Sequence, residues 1–74
     1  METVEIEQIA RGLVRDYALP LTVRRVSVAE PGRCTIGFAD RYSGAATIIG
    51  ICCDPRVSRH HLRESLKREL DICD

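Results

Sequence analysis

The sequence predicts an α+β fold, ordered α-β-β-β-α, in which both helices pack on one face of a three-stranded antiparallel sheet. Three observations predict it. Apolar residues recur at helical spacing at both ends of the chain, three runs rich in β-formers lie between them, and turn residues stand where those runs meet.

The first helix is expected over 4–17. Ile6, Ile9, Leu13 and Tyr17 mark one face, and Ala10 and Val14 widen the stripe. Glu2, Glu5 and Glu7 crowd the start, where the helix dipole favours negative charge. Gly12 costs helix propensity and is read as room for a close crossing. Leu19-Pro20 is the expected stop, because a residue before proline is pushed out of the α region.

The first strand is expected over 21–29. Its alternation is imperfect, with Val23 on one face and Val26 and Val28 on the other, and a bulge near Arg24 and Arg25 would reconcile them. Glu30-Pro31-Gly32-Arg33 reads as a turn. The second strand, 34–39, alternates cleanly with Cys34, Ile36 and Phe38 inward. Asp40-Arg41-Tyr42-Ser43-Gly44 closes the next hairpin. The third strand, 45–53, is apolar on both faces. Ala45, Thr47, Ile49, Ile51 and Cys53 share one side, and Ala46, Ile48, Gly50 and Cys52 share the other.

Ser58 is the expected N-cap of the second helix, with Val57 and Leu62 at the positions of a hydrophobic staple. Leu62, Leu66 and Leu70 would line its buried face, Arg63, Glu64, Lys67, Arg68 and Glu69 would cover the rest, and Ile72 and Cys73 would trail onto the core. With no repeat, linker or low-complexity segment, the 74 residues read as a single small domain, near the lower size limit for an unstapled core.

Composition narrows the function classes. Eleven acidic and eleven basic residues balance, so there is no global pull toward nucleic acid or an anionic membrane. The N-terminus lacks the basic and apolar regions of a signal peptide, and the uncharged stretch 42–53 is too short and too rich in β-formers to span a bilayer, so a cytoplasmic protein without membrane association is expected. The four cysteines read as reduced thiols, since Cys34, Cys52 and Cys53 lie in β-like runs where a small hydrophobe fits. Adjacent Cys52 and Cys53 point to opposite faces and do not share a role.

No catalytic constellation stands out, and an enzyme is not expected. Ser43 and Ser58 have structural roles in a turn and a cap, and the thiols lack an accessible electropositive setting. No C-x-x-C pair accompanies His60 and His61, and neighbouring helical side chains diverge by about 100°, so neither a metal nor another cofactor is expected.

Two surfaces remain. One strand-three face has no helix to cover it, carrying Ile48 and Cys52 in one register or Ile49 and Ile51 in the other. A contiguous apolar patch there marks an interface with a protein partner, most simply a second copy related by two-fold symmetry. The other surface is the basic entry to the second helix. Arg56, Arg59, His60, His61, Arg63, Lys67 and Arg68 stand there, where the helix dipole already favours an anion, and Arg33 sits in the first hairpin turn.

The element order resembles that of the double-stranded RNA-binding domain, which sets the second-helix N-terminus and the first hairpin loop on phosphates. That resemblance implies Arg56, Arg59, His60 and Arg63 on phosphates, with Pro31-Gly32-Arg33 entering the minor groove. Along the first helix and through Leu19-Pro20, Asp40 with Ser43-Gly44, Gly50-Ile51, Ser58-Arg59 and Glu69-Leu70, the chain is also similar to a family of short bacterial proteins of unknown function. This second resemblance implies a stand-alone small domain and carries no function.

The expectation is therefore a non-enzymatic binding module that self-associates or docks a protein through the open sheet face. The alternative is nucleic-acid binding through the start of the second helix.

Overall fold

The computed structural model describes residues 2–72. It contains α1 (Thr3–Asp16), β1 (Leu21–Glu30), β2 (Arg33–Asp40), β3 (Ala46–Cys52) and α2 (Arg59–Glu69), with the strands in antiparallel order β1-β2-β3. The α+β architecture matches the sequence expectation, and element ends differ by a residue or two. Cys73 lies outside the described residues.

The core is built from one face of the sheet and one stripe of each helix. Ile6, Ile9, Ala10 and Leu13 of α1 and Leu62 and Leu66 of α2 close over Val23, Cys34, Ile36, Phe38, Ile49, Ile51 and Cys53. Val57 and Leu70 pack at the margin, as the staple and the leucine stripe require.

β1 shifts register with β2 twice, between Val28 and Glu30 and at the two arginines. Val23 pairs with Phe38 and Arg25 with Gly37, so Arg24 is the extra residue. That insertion brings Val23 and Val26 onto the core side despite their odd spacing. Val28, opposite Cys34, remains 48% exposed at the far end of the strand. Pro31-Gly32 turns the first hairpin, with Gly32 at φ 80°, a conformation that side chains resist. In the second hairpin the Asp40 carboxylate accepts from the backbone N–H groups of Tyr42 and Ser43 at 2.8 and 2.9 Å.

Two local readings are corrected. Gly12 permits no close crossing, because a Cβ built there meets nothing within 4 Å. Proline does not stop α1. Before Pro20 is reached, Ala18 N–H donates to the Arg15 carbonyl and Leu19 N–H to the Val14 carbonyl, with Ala18 left-handed at φ 49°. This is a Schellman ending, and α2 ends the same way, with Asp71 donating to Arg68 and Ile72 to Lys67.

Candidate interaction surface

The pleat decides which residues of β3 are available. Ile49 and Ile51 are 7% and 5% exposed and point beneath the helices, so the candidate interface loses both to the core. Ile48 and Cys52 occupy the opposite face, and Ile48 is 75% exposed. The physical reason is parity. Pairing of Cys34 with Ile51 and Ile36 with Ile49 puts the odd-numbered residues of β3 on the side that β2 buries.

Cross-strand pairs organise the open face. Ser27, Thr35 and Gly50 form one row, and Arg25, Gly37 and Ile48 the next. The Ser27 and Thr35 hydroxyl oxygens are 2.9 Å apart, joined by a hydrogen bond in which one donates and the other accepts. Arg25, Ser27, Thr35, Gly37 and Ile48 line a shallow groove of about 180 Å³. Glycines at 37 and 50 lower the surface on both sides of the isoleucine, so its side chain stands clear. Arg33 continues this side of the sheet opposite Cys52 and is exposed, beside the Gly32 turn that approaches Asp54.

The basic run of α2 has a different environment from a free cationic patch. Arg56 lies 3.3 Å from Asp54, and Arg59 lies 3.7 Å from Glu5 of α1. Arg63 donates to Asp16 at 3.2 Å, with its guanidinium 5.8 Å from the centre of the Tyr17 ring. Lys67 is 8% exposed, sits 5.3 Å from the same ring and pairs with Glu64 at 3.3 Å. Lys67 is thus removed from the anion-binding candidates. Its stem packs between the helices, the expected behaviour of a long amphipathic side chain beside an aromatic ring.

His60 and His61 are exposed, and the His61 backbone N–H donates to Ser58 Oγ at 3.1 Å. The expected N-cap is therefore in place. The interhelix role of Arg63 and Lys67 escaped the sequence reading, although their spacing of four places both on one flank of α2, adjoining the leucine stripe.

Burial governs the cysteines. Cys34 and Cys53 lie in the core, and Cys52 is exposed. Burial, reinforced by the neighbouring Cys53 thiol, pushes Cys34 up to about 12, so it stays a protonated thiol and a poor nucleophile at neutral pH. Among the described residues, no three His, Cys, Asp or Glu side chains gather as a metal set.

A larger groove, about 390 Å³, lies beside Val14, Leu19 and Leu21, with Arg11, Arg15 and Arg41 around it. The sequence reading did not single it out. Arg11 is engaged with Glu7 at 2.9 Å and Arg15 with Asp16 at 3.4 Å, so two of its three cations already have anionic neighbours. Among the described residues, no helix is long and apolar enough to cross a membrane.

No family model matches the chain, and no match was found among the curated proteins or the solved structures.

Proposed function

We propose that the protein is a non-enzymatic interaction module that binds a protein partner, most simply a second copy of itself, through the open sheet face. The observation that carries this reading is Ile48. It is 75% exposed, no helix among the described residues packs over it, and it stands between Gly37 and Gly50 on a strand without a single charged residue. An isolated surface isoleucine is ordinary, but one raised above glycines on an uncovered sheet face is a shape that a partner can enclose. The balanced charge of the chain favours self-association, since no net repulsion opposes it.

The nucleic-acid reading has less support from the geometry. Arg56, Arg59 and Arg63 each lie beside a carboxylate, and Lys67 is buried, so a phosphate backbone would have to displace existing partners.

Native mass spectrometry under reducing, low-salt conditions tests the proposal. A doubled 8.3 kDa mass that Ile48→Asp returns to the single-chain mass supports it. The same result with Arg59→Ala/Arg63→Ala, while Ile48→Asp has no effect, transfers the function to α2. Bound oligonucleotide with a steep loss of affinity in salt would establish the alternative.

A further inference from the structure

The two edges of the sheet are built differently. The β1 edge has Arg24, Arg25 and Glu30 and a bulge at Arg24, features that blunt pairing with another chain. The β3 edge, Ala-Thr-Ile-Ile-Gly-Ile-Cys, has no charge, no proline and no bulge, and five of its seven residues are exposed. Among the described residues, no strand lies beyond it. An unguarded edge of this length is a template for another strand.

Its backbone polarity follows from the hydrogen bonds that frame it. Asp40 N–H donates to the Ala45 carbonyl, and Cys53 N–H donates to the Gly32 carbonyl, both at 2.9 Å. With unbroken register between, residues 45, 47, 49, 51 and 53 direct their amides and carbonyls toward β2. Ala46, Ile48, Gly50 and Cys52 therefore direct theirs away from the sheet.

We infer that β3 pairs antiparallel with β3 of a second copy, about a two-fold axis at Ile49, to form one continuous six-stranded sheet. In this register Ala46 faces the partner's Cys52 and Ile48 faces the partner's Gly50. All four outward residues of each copy then find partners, which gives eight backbone hydrogen bonds. The side chains are complementary as well. On the open face each Ile48 stands over the position where the other copy has glycine, so two isoleucines share the space without meeting head-on. Because the strand has no charge, pairing with itself brings no like charges opposite one another. The occupant is thus a second copy, specified by a strand complementary to itself.

A seven-residue ladder buries less than the roughly 1,200 Å² of a standard interface, which places the dimer among weak, transient associations. This inference rests on the self-association reading above and places the contact at the β3 edge, leaving the open face uncovered.

Sedimentation velocity from about 5 μM to about 1 mM, on wild type, Gly50→Pro and Ile48→Asp, tests it. Proline at position 50 removes an outward N–H while leaving the bonds to β2, and edge positions accept it. Gly50→Pro is expected to weaken dimerisation at least about tenfold. Isotope-filtered spectra of a mixed-label wild-type sample should show a contact between the α-protons of Thr47 in one copy and Ile51 in the other. That contact decides the matter alone if Gly50→Pro fails to fold.

A wild type that is monomeric throughout overturns the edge pairing. So does a dimer that Gly50→Pro leaves intact or that lacks the Thr47–Ile51 contact. If Ile48→Asp dissociates such a dimer, the open-face reading survives without the edge pairing. If neither substitution affects it, both fail.

Discussion

Ala18 at φ 49° and Asp71 at φ 58° hold left-handed backbone where glycine is the usual residue. The two Schellman endings impose these angles at some cost, because a Cβ crowds the adjacent carbonyl. Ala18→Gly is expected to stabilise the protein by about 0.5–1 kcal/mol in urea unfolding. Gly12→Ala acts through helix propensity, and with open space around the new methyl group it should add about 1 kcal/mol. Asp40 gives a pH-dependent term. Two backbone N–H donors hold its carboxylate below the usual range, so the stabilisation is complete above the unfolded-state pKa of about 3.9 and is lost as pH falls through the lower folded value. Asp40→Asn should therefore flatten the acid limb of the stability–pH profile. These residue-scale features were only partly legible. The Asp40 turn followed from its composition, whereas a left-handed angle at an alanine has no sequence signature.

At the scale of elements, Tyr17 gathers two α2 cations at the end of α1. Arg63 and Lys67 reach its ring from α2, and Arg63 also bonds Asp16 at the end of α1. Arg59, Arg63 and Lys67, which drew notice as part of a ligand site, thus link one helix to the other. Tyr17→Ala is expected to cost about 2 kcal/mol, less than a fully buried aromatic because the residue is half-buried. A double-mutant cycle between Tyr17→Ala and Arg63→Ala should return a coupling of about 0.5–1 kcal/mol, the range for an exposed cation–π pair. Helical periodicity located both helices and their leucine and isoleucine stripes. It could not say that Lys67 is buried, because that depends on which flank of α2 meets α1.

For the whole molecule, what matters is the asymmetry between a guarded β1 edge and a bare β3 edge. A small domain with one buried sheet face has a thin stability margin, and pairing at the free edge would add to it by mass action. The melting temperature of wild type should consequently rise with protein concentration between about 5 μM and about 1 mM, and that of Gly50→Pro should rise less and only at the upper end of the range. Differential scanning fluorimetry over that range gives both curves.

By itself, the sequence determined the element order, the inward set Cys34, Ile36 and Phe38, the bulge at the β1 arginines and the Ser58 cap. Each is a local matter of period, turn chemistry or capping, so neighbouring residues suffice to specify it. The tertiary structure alone decided which face of β3 is buried, because both of its faces are apolar and only the register with β2 breaks the tie. It also decided the fate of the α2 cations, since Glu5, Asp16 and Tyr17 are distant in sequence and become their neighbours only when the two helices share one face of the sheet.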